Sequence, residues 1–345
     1  MPSTVESLAP RPARPDPPRG EILAALDLGT NNCRLLIVEA GEDGFTVVDS
    51  FSRIVRLGEG LAATGRLADR AMSRTLTALR VCARMIARHR VDRVRCVATE
   101  ACRRAVNGPE FIERAARLTG LALEIVGQEE EARLAMLGCM PLVEDEAEQL
   151  LMVDIGGGST EIMWLDRFAA DHGEDPGDSI SLPLGVVTLS ESFGPEIDAE
   201  GYGRIVRLVQ EELRTRRNGR LPAQGGARMQ MLGTSGTVTT LAAVHLGLRR
   251  YDRRRVDGLS LPFAAIAAVA GRLRQLDNDA RAAHPCIGVG RADLVVAGSA
   301  ILEAVHAHWP VERLHVADRG LREGILGALM GQSLRQALVR PVGAA

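Results

Sequence analysis

The chain has 345 residues and no lysine; all 42 of its basic residues are arginine. That absence removes whole chemistries. A Walker A loop sets a lysine on the β- and γ-phosphates, protein kinases use a strand lysine, and pyridoxal enzymes need a lysine for the Schiff base. Aromatic residues are scarce, at 3%. Stacking platforms are therefore lacking, no nucleic-acid-reading module is recognisable, and nucleic acid is not expected as a partner. No run approaches the roughly 18 apolar residues of a membrane span, so no membrane partner is expected. The six cysteines (Cys33, Cys82, Cys96, Cys102, Cys139, Cys286) form no CxxC pair and no zinc spacing. His306, His308 and His315 lack partners at metal-ligand spacing. Residues 1–20 are rich in Pro and Arg without an apolar stretch, which reads as a disordered tail and not a secretory signal. A reducing cytoplasm is the expected compartment.

What is present is ordinary for a folded chain: 46% hydrophobic and 25% charged residues, long enough for about two domains. The net charge of −2 hides an asymmetry. Residues 142–201 hold fifteen acids and one arginine, whereas 204–255 hold twelve arginines and three acids. The basic block is either a solvated surface or an anion-binding one.

Apolar runs at 22–26 and 35–38 flank Asp27-Leu-Gly-Thr-Asn and predict strand, tight turn, strand, with a third strand at 45–51. Residues 71–90 place Met72, Leu76, Leu79, Ala83 and Ile86 on one helical face. Strand, helix, strand and helix follow at 94–98, 109–118, 123–126 and 129–140, giving an α/β layer fold. After an acidic linker at 141–149 the pattern restarts. Sliding the chain by 127 positions pairs Asp27 with Asp154, Gly29 with Gly156 and Leu35 with Ile162. An internal duplication is expected, with two related halves facing a cleft.

The chemistry sits at the glycine turns. A strand ending in Asp and followed by glycines leaves N–H groups unshielded, a nest suited to phosphate oxygens, while the Asp can hold Mg²⁺. A plain hairpin would also use such glycines. Glu161, seven residues after Asp154, can reach back across a hairpin to share that metal. A third loop, Gly233-Thr234-Ser235-Gly236-Thr237, opens a helix after a strand at 229–232 and presents donors to an anion or merely caps the helix. Glu129-Glu130-Glu131 opens the helix at 129–140. One of these carboxylates can deprotonate a water for attack on phosphorus, or all can complement the helix dipole. Arg103, at a strand end, can fork onto phosphate or lie on the surface.

Seven segments, ALDLGTNNCRLLIV (25–38), VRLGEGL (55–61), ATEACRRAVNG (98–108), EIVGQEEEARL (124–134), VDIGGGSTEI (153–162), LGTSGTV (232–238) and ADRGLREG (317–324), together resemble the exopolyphosphatase/guanosine-pentaphosphate phosphohydrolase (Ppx/GppA) family. The resemblance implies two actin-like (ribonuclease H-like) α/β domains: residues 21–140, joined by a C-terminal helix within 318–338, and residues 141–317. It implies that Glu131, by the Glu-Ala-Arg register that follows it, is the general base. Asp154 and Glu161 are implied as Mg²⁺ ligands, with Asp27 assisting. Gly29, Thr30, Asn31, Arg103, Gly156, Gly157, Gly158, Ser159, Thr160, Gly233, Thr234, Ser235, Gly236 and Thr237 are implied as phosphate contacts. Thr30-Asn31-Asn32 departs from the commoner Ser-Asn-Ser, keeping the Asn and one hydroxyl. The chain ends 21 residues after Gly324, like the family's short, two-domain form, and a homodimer is expected.

The function so implied is Mg²⁺-dependent release of terminal orthophosphate from inorganic polyphosphate. Hydrolysis of the 5′ γ-phosphate of guanosine pentaphosphate (pppGpp) is the alternative within the same chemistry. A kinase or ATPase of the same superfamily shares the Asp-x-Gly turns, but no sugar-kinase signature is found. A non-catalytic binder of alarmone nucleotide, (p)ppGpp, or of polyphosphate is disfavoured by the joint presence of Glu131, Asp154 and Glu161.

Overall fold

The structure, a computed structural model, describes residues 20–42, 44–167, 169, 177–216 and 228–338. The expected disordered tail therefore lies, but for Gly20, outside the described residues. Five strands form the first sheet: β1 (Ile22–Leu28), β2 (Asn32–Gly41), β3 (Gly44–Ile54), β4 (Arg93–Ala98) and β5 (Leu123–Ile125), in the order β3-β2-β1-β4-β5. Six form the second: β6 (Gln149–Ile155), β7 (Thr160–Asp166), β8 (Gly177–Leu182), β9 (Met229–Thr234), β10 (Ser260–Pro262) and β11 (Arg313–Ala317), in the order β10-β11-β9-β6-β7-β8.

The sequences β3-β2-β1-β4-β5 and β8-β7-β6-β9-β11 follow one plan. In each, two antiparallel pairings lead to a central strand that continues into two parallel ones. This repeat gives two α/β halves of one topology, as expected of an internal duplication. The central strands β1 and β6 are apolar along almost their whole length because helices cover both faces of the parallel part. On helix Asp69–Arg88, Met72, Leu76, Leu79 and Cys82 form the buried stripe, packed with Leu26, Leu35 and Cys96 of the first sheet. Among the described residues no helix is long and apolar enough to cross a membrane.

Two helices pass between the sheets. Helix Gln128–Cys139 packs Ala132, Ala135 and Met136 against Met152, Met163 and Leu232 of the second sheet. Its Leu134 meets Ile325 and Leu326 of helix Leu321–Leu329 over Leu23 and Ala25 of β1. The last short helix, Leu334–Leu338, places Leu334 and Leu338 in the cluster with Leu150 and Met152.

Backbone meets backbone where these helices cross. A Cβ on Gly138 would overlap the Gly320 carbonyl and lie 2.8 Å from the Gly324 nitrogen, and one on Gly324 would overlap the Leu134 carbonyl. Only glycine fits, since neither obstacle is a flexible side chain. Gly324→Ala is expected to destabilise the fold by about 1–3 kcal/mol. Gly271→Ala, with nothing within 4 Å of its Cβ, is expected to be neutral or to stabilise by about 0.5–1 kcal/mol. Urea-unfolding midpoints of the two variants check both signs.

Candidate active site

The two sheets present matching turns to one another. In the first half the Gly29 N–H donates to the Asn32 carbonyl at 2.9 Å; in the second the Gly156 N–H donates to the Ser159 carbonyl at 2.9 Å. The 127-residue offset thus carries one hydrogen bond onto the other. The turns touch through glycine: a Cβ on Gly157 would lie 3.0 Å from Thr30 Cβ, and one on Gly158 2.8 Å from Thr30 Oγ1.

Between the turns lies a cleft of about 660 Å³. Asp27, Gly29, Thr30, Asn31, Glu131, Asp154, Gly156, Gly157, Gly158, Ser159, Thr234, Ser235, Gly236 and Thr237 line it. Most of the residues expected at the site are therefore brought together from both halves. Four are not in its lining. Thr160 is buried and donates its hydroxyl to the Leu184 carbonyl at 2.7 Å. Gly233 packs against Leu314 and Val238. Glu161 lies beneath the surface, accepting from the Ser181 hydroxyl at 3.0 Å. Arg103 is held by protein: its guanidinium donates to Glu131 at 3.0 Å, to Glu100 at 2.6 Å and to the Val126 carbonyl at 2.7 Å.

The three successive glutamates separate by environment. Glu129 is exposed. Glu130 turns away, accepting from Arg133 at 2.7 Å and from Arg95 at 3.1 Å, and Arg133 holds its carboxyl below the usual range. Glu131, in the first turn of helix Gln128–Cys139, is buried and reaches the cleft. Burial, then the nearby Glu161, raises its carboxyl well above the ordinary value, against the pull of Arg103.

Strand register explains the other carboxylates. Asp154 on β6 stands directly opposite Glu161 on β7, so both side chains share a sheet face. Burial, with Asp27 nearby, pushes Asp154 up to about 6. Burial and then Asp154 push Glu161 up to about 7. Asp27 is also raised by burial, with Arg34 and Arg322 opposing. In the first half the residue opposite Asp27 is Arg34. The duplicated position therefore carries a cation on one side and a carboxylate on the other.

The third loop is capped and strained. Ser235 has φ 122°, a left-handed value rare outside glycine. Its hydroxyl accepts from the Thr237 and Val238 N–H groups at the start of helix Gly236–His245. The capping reading is thus observed, and the same N-terminus faces the cleft.

Arg34, Arg253, Arg291, Arg319 and Arg322 also line the cleft; of these, only Arg253, in the basic block at 204–255, fell under the anion-binding alternative. Arg291 donates to Thr240 at 3.2 Å, Arg253 to Glu323 at 2.8 Å, and Arg319 to Asp257 at 3.0 Å. Two signals pointed to members of this set. Arg34 follows Asp27 at the spacing by which Glu161 follows Asp154, and Arg319 and Arg322 lie in ADRGLREG. None of His306, His308 and His315 lines the cleft. His306 stacks on Phe263 at 3.7 Å, and His315 lies against Gln230 and Glu144.

The donors suit a hard cation. Glu161 and Glu131 are buried carboxylates and Asp154 and Asp27 half-buried ones, and a divalent ion would balance their charge. Among the described residues no three acidic, His or Cys side chains close on one point.

Comparison with known proteins places the chain in a family. A model of the Ppx/GppA phosphatase family matches residues 36–333. Exopolyphosphatase 2 of Mycobacterium tuberculosis is 33% identical over 330 residues, covering 90% of this chain and 98% of that protein. The crystal structure of the Aquifex aeolicus family member aligns with TM-score 0.74 at 30% identity, over 90% of this chain and 98% of the other. An exopolyphosphatase from Cytophaga hutchinsonii shares the fold, with TM-score 0.78 at 23% identity over 90% and 98% of the two chains. The chain belongs to the Ppx/GppA phosphatase family.

Proposed function

We propose that the chain is a Mg²⁺-dependent exopolyphosphatase that releases terminal orthophosphate from inorganic polyphosphate, with Glu131 as the base. The observation that carries this reading is the position of Glu131. It is a buried carboxylate, raised well above its ordinary value, at the cleft into which the two glycine turns and a helix N-terminus open. The name of the mycobacterial relative supports the substrate.

The backbone N–H groups of Gly157, Gly158 and Ser159, with Thr30 and Asn31 opposite, hold the terminal phosphoryl group. Thr234, Ser235, Gly236 and Thr237 supply further donors. Arg34, Arg291 and Arg322 add guanidiniums that draw the anion in. Arg103 acts through Glu131: its hydrogen bond aims the carboxylate and keeps a share of it ionised. Glu131 then takes a proton from water while the water oxygen forms its bond to phosphorus. The bridging P–O bond breaks, and its electron pair leaves with the shortened chain. Asp154 and Glu161, with Asp27 assisting, would hold Mg²⁺, which neutralises phosphate charge when bound. A homodimer belongs to the same reading, carried by the family resemblance alone.

Protonation sets a direction for pH. Asp154 and Glu161 ionise only as pH rises through about 6 and about 7, and Glu131 too is raised. Proton-bound carboxyls neither accept a proton from water nor hold a cation. kcat/KM at limiting Mg²⁺ is therefore expected to climb between about pH 5 and 8; a profile that is flat or falls over that span contradicts the assignment.

Phosphate release from long-chain polyphosphate and from pppGpp, measured side by side, tests the substrate. Glu131→Gln is expected to lower release by about 10²–10⁴-fold with polyphosphate binding retained, and Glu130→Gln to change it little. Loss in Glu130→Gln alone overturns the choice of base. Faster release from pppGpp would make the nucleotide the substrate instead.

A further inference from the structure

The segment Arg249-Arg250-Tyr251-Asp252-Arg253-Arg254-Arg255 has five arginines and one acid. Tyr251 and Arg253 line the cleft, and Arg253 reaches inward to Glu323 at 2.8 Å. The other four arginines are exposed. Among the described residues none of the four forms an ion pair or a side-chain hydrogen bond. The single acid does not neutralise them: the Asp252 carboxylate accepts from the Arg254 N–H at 3.0 Å and caps helix Arg253–Val256. Among the described residues, some exposed arginines elsewhere are paired with acids, as Arg74 with Glu59 and Arg216 with Glu212, and others, such as Arg80 and Arg84, are not; what sets this cluster apart is that it adjoins the cleft residues Tyr251 and Arg253. Here four guanidiniums stand uncompensated within two residues of the cleft wall.

We propose that Arg249, Arg250, Arg254 and Arg255 form a polyanion track that holds the unreacted part of a polyphosphate chain outside the cleft. The proposal rests on the exopolyphosphatase reading and extends it from the reacting end to the rest of the polymer. A long polyphosphate carries charge at every phosphate beyond the terminal one, and guanidinium forks suit phosphate oxygens. Each exposed pairing is weak, so the track acts by summing several of them. A short triphosphate is consumed inside the cleft and does not reach the track. Affinity therefore grows with chain length through these residues, and salt weakens it more for long chains than for short ones.

The test measures binding without Mg²⁺, in chelator, so that hydrolysis does not interfere. End-labelled polyphosphate of hundreds of units and inorganic triphosphate are titrated against the full chain and against the quadruple variant Arg249→Ala/Arg250→Ala/Arg254→Ala/Arg255→Ala. The variant is expected to bind the long chain about tenfold more weakly and triphosphate within about twofold of the parent. A second variant, Arg80→Ala/Arg84→Ala/Arg88→Ala/Arg90→Ala, removes four exposed arginines on and just after helix Asp69–Arg88, none of which lines the cleft. It is expected to leave both affinities unchanged. Equal weakening for both ligands, no weakening for either, or an equal effect of the second variant overturns the track. Failure of the exopolyphosphatase reading itself shows separately, as absence of phosphate release by the parent protein with Mg²⁺ present.

Discussion

Four carboxylates at or just beneath the cleft, Glu131 and Glu161 buried and Asp27 and Asp154 half-buried, set the terms for this molecule. Asp27, Asp154, Glu161 and Glu131 are each raised by burial, and each also feels at least one of the others or a guanidinium. An isolated buried carboxylate is strongly disfavoured, so the surroundings must supply positive charge. Part of it is built in: Arg34 and Arg322 oppose the shift of Asp27, and Arg103 that of Glu131. The remainder is left for what enters the cleft. Because the folded state binds protons at Asp154 and Glu161 that the unfolded chain has released, the metal-free fold loses stability as pH rises from about 4 through about 7.

The duplicated fold makes this arrangement possible. Each half ends its central strand in Asp-x-Gly, and each closes the same hydrogen-bonded turn. The halves then diverge at one register position, with Arg34 in the first and Glu161 in the second. One turn is thereby suited to anions and the other to a cation held beside an anion, which is what a phosphate with its counterion presents. The glycine crossing fixes their relation. Gly138 and Gly324 let helix Gln128–Cys139 and helix Leu321–Leu329 come into backbone contact, so Glu131 and Arg322 project into the same space from opposite partners.

Much of this was legible in the chain. Asp27, Asp154 and the glycines after them were readable because a strand that stops at Asp-x-Gly is a local pattern, and the 127-residue repeat showed that it occurs twice. Glu131 needed the family resemblance, since three consecutive glutamates at a helix start are locally equivalent; only tertiary pairing of Glu130 with Arg133 and Arg95 separates them. Arg103 was legible as a strand-end arginine but not as the partner of Glu131, a contact 28 residues away. β8, β10 and β11 went unread. β10 has three residues and β11 five, too short for periodicity to declare, and β8 alternates only weakly in burial. The arginines of the cleft were hidden by abundance: with 42 in the chain, type alone distinguishes none.

On the proposed function, Asp154 is kept as a half-buried anion for a cation and phosphate, against the interest of the metal-free fold. Thermal unfolding near pH 8, with and without Mg²⁺, addresses it in the parent protein and in Asp154→Asn. Without metal the variant is expected to be more stable than the parent by about 1–3 kcal/mol. Mg²⁺ is expected to stabilise the parent and not the variant. A variant that is less stable without metal, or that responds to Mg²⁺ as the parent does, would contradict it.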